Sequence, residues 1–203
     1  MKIQINHDSE FEVTGTAQEM LSQLNETIAR LYSSNEIVQE VIIDGQPYSE
    51  GYETYLYQHI GKVRNIQLMT VNGDLWIAEL VTELQHYLPK LIKATDSISD
   101  CFYGQMAEED WRSFSQLMEG VTWVYQSVQT VRNHHANMAY DTTLNVFTAA
   151  MVGFTNELEQ LLPQVERSIE QQEFTNAGDL LKYELGTALE RLSGALAANR
   201  GTI

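Results

Sequence analysis

Apolar and polar residues alternate near the start of this chain, then recur every third or fourth position for most of its length. KIQIN (2–6) and EFEVT (10–14) alternate as half-buried strands do, and the short HDS between them predicts a hairpin. TAQE (16–19) then opens a helix with a capping box, in which Thr16 accepts from a backbone amide and Glu19 reaches back. Ala17, Met20, Leu21, Leu24, Ile28 and Leu31 follow at helical spacing. EVIIDGQPY (40–48) is a β-branched run broken by the turn pair Asp44–Gly45, and NIQLMTV (65–71) predicts a further strand. The order is strand, strand, helix, strand, short return, strand.

From Asn72 the period becomes helical. Ile77, Leu80, Val81, Leu84, Leu88, Leu91 and Ile92 share one face. A second stripe contains Trp111, Phe114, Leu117, Met118, Val121, Tyr125, Val128 and Val131. The third runs Leu144, Phe147, Met151, Phe154, Leu158, Leu161, Val165 and Ile169, and the fourth Leu181, Leu185, Leu189, Leu192 and Leu196. Four such stripes with short connectors predict an antiparallel four-helix bundle over 73–203, after a strand-rich domain over 1–72. ELQHYLPKL (83–91) is similar to ELEQLLPQV (157–165), and EDWRSF (109–114) to GDLLKY (178–183). That pairs Trp111 with Leu180, Phe114 with Tyr183 and Asp110 with Asp179. A duplicated helical hairpin, kinked at Pro89 and Pro163, and a coincidence between two leucine-rich helices both stay open.

VIIDGQPYSEGYETYLYQHIGKVRNIQLMT (41–70) resembles the second half of ubiquitin-like domains. The close likeness covers about thirty residues, and the order of elements extends it over the first seventy. The resemblance implies an α+β chain whose first domain is a ubiquitin-like β-grasp. Gly45 would be its turn glycine, Tyr48, Leu56 and Ile60 its buried anchors, and Ile66 and Leu68 core residues of the last strand. It implies an outward-facing Ile42, which either forms a partner patch or packs on the second half of this chain. A modifier role needs a free di-glycine tail, whereas here the chain runs on through VNGDLW (71–76). The helical part resembles uncharacterised helical proteins of Gram-positive bacteria, which implies no activity.

With 203 residues, 43% of them hydrophobic and 20% charged, the chain suits a folded protein of one or two domains. No run approaches the length of a membrane helix, and MKIQINHDSEF lacks a signal peptide's apolar core. The lone Cys101 cannot close an internal disulfide, so a reducing cytoplasm is the expected location. A net charge of −16 with scattered basic residues sets nucleic acid and anionic membranes aside as partners. A protein partner is expected, and a homodimer stays open.

RNHHANMAYD (132–141) carries two of the five histidines. Adjacent helical side chains diverge by about 100°, so His134 and His135 cannot both hold one ion within a helix. His135 continues the stripe from Val131 and is expected partly buried, with His134 facing water. Zinc signatures, phosphate loops, a nucleophile elbow and the two Glu-x-x-His segments of a di-iron bundle are missing. His86 between Glu83 and Lys90 reads as surface, and Glu108–Glu109–Asp110 as an acidic first turn meeting a helix's positive end. Asp179, Tyr183 and Glu184 interrupt the last stripe with polar groups expected to be half buried, Asp179 as a cap. Trp76 and Trp123 lie beside their stripes and would plug a domain interface, cover the sheet or form a dimer contact.

The expected function is therefore non-enzymatic and free of cofactors: a cytoplasmic protein-interaction or adaptor protein, one version being a chaperone for secretion or flagellar export. The alternative is a metal-binding or enzymatic helical bundle using His134, His135 and Asp141.

Overall fold

The computed structural model describes residues 1–6, 9–48, 51–137 and 146–198, and the side chains of all of these but 135–137, 146 and 147. Its contacts divide the chain into Met1–Trp76 and Ile77–Ile203. The fold is α+β, with a mixed sheet followed by helices.

In the first unit the alternating segments become β1 (Lys2–Ile5) and β2 (Ser9–Glu12), an antiparallel pair. Helix α1 (Ala17–Ser33) follows with its capping box formed: the Glu19 amide donates to Thr16 Oγ1 over 3.3 Å, and the Thr16 amide to Glu19 Oε2 over 2.7 Å. The Thr16 amide bond, with a second from the Thr16 hydroxyl to Glu19 Oε2 at 3.0 Å, favours the ionised carboxylate and holds Glu19 below the usual carboxylate range. The run 36–43 is β3 (Glu36–Ile43), bulged between Val38 and Glu40, and it returns through β4 (Gln46–Tyr48). Asp44 and Gly45 both take positive φ, 49° and 87°, the backbone of a tight primed hairpin turn. The Asp44 carboxylate accepts from the amides of Arg64 and Asn65 at 3.0 and 2.8 Å, tying that turn to the start of β5 (Asn65–Asn72). Between β4 and β5 lies α2 (Tyr52–His59), continued by a single 3₁₀ turn.

The sheet order is β2-β1-β5-β3-β4, with β1 and β5 parallel and the other pairs antiparallel. This is compatible with a β-grasp-like start. Cross-strand partners share a face, so the registers sort the sheet into two sides. Phe11, Ile3, Ile66 and Ile43 form one inward row, and Ile5, Leu68 and Val41 another. These rows pack with Leu24 and Leu31 of α1 and with Leu56 and Ile60.

The helical part opens with α3 (Gly73–Cys101), which starts directly after β5, so the division of contacts falls one turn inside it. Then come α4 (Glu108–Asn137), α5 (Val146–Glu170) and α6 (Phe174–Asp179). A π-helical stretch, Leu180–Leu185, leads into α7 (Gly186–Ala198). The stripes are buried largely as spaced: Ile77, Val81, Leu84, Leu88 and Leu91 in α3, Met151, Phe154, Leu158, Leu161 and Val165 in α5. Leu181, Leu185, Leu189, Leu192 and Leu196 are all at most 1% exposed. Leu144 and the side chain of Phe147 lie outside the described residues. Both Pro89 and Pro163 sit inside long helices.

The paired openings differ. Asp110 stands in the first turn of α4 and accepts from the Ala107 amide at 2.8 Å, as a cap does. Asp179 ends α6 and makes no capping bond. Phe114 packs among aromatic rings, whereas Tyr183 is 61% exposed. The likeness of EDWRSF to GDLLKY therefore does not carry over into equivalent positions in the helices.

Candidate interaction surface

The outward face of the sheet is built by the same registers. Glu10, Gln4, Gln67, Ile42 and Pro47 stand opposite one another from β2 across to β4. Gln67 Nε2 donates to Gln4 Oε1 over 2.7 Å in the middle of this row. Ile42 is half-buried, between Val41 at 1% and Ile43 at 2% exposure. The alternation of period two thus puts it on the outward side, flanked by an amide and a proline. A second concentration of exposed apolar area lies on α2. Tyr55 is tilted against Tyr48 at 5.3 Å and stacked on His59 at 4.6 Å, and Tyr57 is 81% exposed.

The chemistry candidates fall elsewhere. His134 is 8% exposed, not turned to water as expected. The buried line of α4 runs Val124, Ser127, Val128, Val131 and reaches His134 by a three-residue step. His135's side chain and the whole of Asp141 lie outside the described residues. Glu83 and His86, which share a Glu-x-x-His spacing, are both exposed. Among the described residues no three of His, Cys, Asp or Glu come together at metal-binding distance. Burial, and then hydrogen bonding to Asp110, raise the Cys101 thiol above its ordinary range, so the thiolate that nucleophilic chemistry needs is disfavoured there.

Three further buried polar groups of the helical unit are hydroxyls that donate to nearby helix carbonyls: Thr95 to Leu91, Ser99 to Asp96, Ser168 to Gln164. Thr155 also accepts from Arg132 Nη1 at 2.7 Å. Hydroxyls used in this way satisfy hydrogen bonding without offering a reactive group.

Asp179, Tyr183 and Glu184 are exposed, a correction to the half-buried placement. Asp179 Oδ1 accepts from the Tyr103 hydroxyl at 2.7 Å, and Lys182 Nζ lies 2.7 Å from Asp100 and 3.5 Å from Asp96. These bonds join the end of α3 to α6 and the π stretch around an edge-packed cluster of Phe102, Trp111, Phe114 and Phe174. A Cβ on Gly178 would stand 3.1 Å from Phe102 Cβ and from the Ser99 carbonyl, which explains a glycine there. Trp123 meets Tyr87 edge-on at 5.0 Å, so it packs within the helical unit. Trp76 is partly buried.

Two features had no reading at the level of sequence: the π stretch, which leucine spacing alone does not reveal, and a depression between β2 and α1. The latter had a faint signal in Phe11, a large apolar residue on a strand otherwise acidic.

No helix among the described residues is long and apolar enough to cross a membrane. Neither a curated protein nor a solved structure matches the chain. One family model does, over residues 79–195, more than half of the chain and nearly the whole helical part. By that match the chain belongs to the family described as Domain of unknown function (DUF8042).

Proposed function

We propose that this chain is a non-enzymatic cytoplasmic adaptor, with a ubiquitin-like β-grasp as its first unit and an antiparallel four-helix bundle as its second. The observation that carries the reading is Ile42, a branched aliphatic side chain on the outward row of the sheet beside Gln67 and Pro47. Apolar area left on a sheet face is where a protein partner gains most from desolvation. The exposed tyrosines of α2 add the residue type that interfaces favour. A negative charge of 16 favours a basic partner surface by complementarity and steering. One version, by analogy of composition alone, is a chaperone for secretion or flagellar export.

The test is Ile42→Asp in the full chain, with partner capture from lysate and stability measured together. A surface position changes stability by less than about 0.5 kcal/mol. The expected result is a normally folded variant that no longer retains the partner captured by the parent. A variant that unfolds would make Ile42 a core residue and end the reading.

A further inference from the structure

The two edges of the sheet are not alike. β4 has three residues and carries Pro47, which offers no amide hydrogen. β2, at the other edge, has no proline. Met1 and Val13 exchange backbone bonds, Met1 N to Val13 O at 2.9 Å and Val13 N to Met1 O at 2.7 Å. In an antiparallel ladder such pairs alternate with pairs that are not bonded to each other. The registers then make Ile3–Phe11 a bonded pair and leave Lys2–Glu12 and Gln4–Glu10 unbonded. The backbone N–H and C=O of Glu10 and Glu12 therefore point away from β1, out over the open edge.

Beside that edge lies a depression of about 530 Å³ lined by Phe11, Gln23, Glu26, Thr27, Ala29 and Arg30. Its floor is the half-buried Phe11 ring with the buried Thr27, and Ala29 and Glu26 stand exposed at its rim. Glu10 and Glu12 project from the opposite face of the strand, because side chains alternate. Lys2 Nζ, 2.5 Å from Glu10 Oε1, neutralises that carboxylate, and no ion pair engages Glu12 or Glu26 among the described residues.

We propose that β2 and the β2–α1 depression form a binding site for an extended peptide segment that alternates apolar and basic residues and adds to the sheet as a sixth strand. Main-chain bonds to Glu10 and Glu12 supply the affinity common to such additions. Specificity follows from the two faces of the added strand. Its inward residue sits on Phe11 and Ala29, and its outward neighbours lie beside Glu10, already paired with Lys2, and beside Glu12, where a cation gains and a carboxylate is repelled. A second copy of β2 is disfavoured as occupant, since it would bring Glu10 and Glu12 against their own counterparts. This extends the protein-interaction reading to another surface, separate from Ile42.

The probe is a fluorescein-labelled Val-Lys-Val-Lys-Val-Lys peptide, titrated into the full chain, with Val-Glu-Val-Glu-Val-Glu as control and amide exchange followed by NMR. The lysine peptide is expected to slow exchange at the amides of Glu10 and Glu12, and to bind at least about tenfold more tightly than the glutamate peptide. Ala29→Arg fills the depression from an exposed helix position, so it should abolish binding while leaving the melting temperature in place. Ile42→Asp should bind the peptide as the parent does, so the two surfaces are tested apart. Equal affinity for both peptides, no protection at Glu10 and Glu12, or undiminished binding by Ala29→Arg would overturn the proposal. So would a peptide-free dimer dissolved by Glu12→Lys, which would make the occupant a second copy.

Discussion

Tyr103 donates its phenol hydrogen to Asp179 over 2.7 Å, a bond that exists only while the phenol is neutral. That bond, reinforced by desolvation and by the Asp179 charge, pushes the group from its ordinary 10.0 up to about 12. Tyr52 reaches about 12 mainly through burial. A folded-state value above the unfolded one contributes stability that is complete below pH 10 and is lost as pH rises toward about 12. Tyr125, which donates to Glu159, is raised as well, and ultraviolet titration of the phenolates should show Tyr103 and Tyr52 as the two with midpoints at about 12. Asp179→Asn should move one midpoint down and leave the other, and the variant should lose less stability than the parent across that alkaline window. At this scale legibility depended on period. Val41, Ile42 and Ile43 are all apolar, so alternation could not single one out, and the outward side of Ile42 was legible only through the resemblance to ubiquitin-like domains. A helix stripe advances by three or four, and at the end of α4 that freedom separates His134 from His135; the step of three was taken, and the histidine expected in water is buried.

Among elements, the approach of α3 to α4 turns on Gly120. A Cβ there would meet the Tyr87 hydroxyl and lie 2.9 Å from Leu91 Cδ1, while Trp123 holds the Tyr87 ring edge-on. Alanine in a helix interior gains about 1 kcal/mol over glycine, and overpacking costs about 1–3 kcal/mol. The second effect wins here because Tyr87 is held in place. Gly120→Ala is expected to lower the urea midpoint, and adding Tyr87→Phe to restore part of the loss. A more stable single variant would mean that the helices can part cheaply. The stripes themselves were plain in the sequence, since amphipathic spacing over long segments leaves few alternatives. The last one was legible as a face but not as a backbone. Ala177, Leu181, Leu185 and Leu189 are four apart, and in an α-helix each such step overshoots a turn by about 40°. The wider turns of Leu180–Leu185 absorb the overshoot and keep the four residues buried together, at most 0% exposed each. Side-chain spacing carries no mark of which carbonyl an amide selects, so the π stretch could not be read beforehand.

For the molecule as a whole, a net charge of −16 spread over both units sets up self-repulsion that favours expansion. Screening should relieve it: the melting temperature is expected to rise as sodium chloride is added through the range where the Debye length falls from about 30 to about 8 Å. A fall would mean that attractive pairs such as Arg191–Glu157 dominate instead. The change of period near Asn72 located the passage from sheet to helices, but what the helices do stayed illegible, because buried hydroxyls such as Thr95, Ser99 and Ser168 bond to their own helix backbone and the buried His134 joins no cluster of metal-ligating residues among the described ones. One feature bears on the family's history. A helix that closes wider turns over six residues holds surplus chain without a bulging loop. A family member one amino acid shorter between positions 180 and 185 could therefore keep every flanking leucine in place and close the gap with an ordinary α-helix. Alignments of DUF8042 chains should then show single deletions tolerated at that spot and rejected a turn to either side.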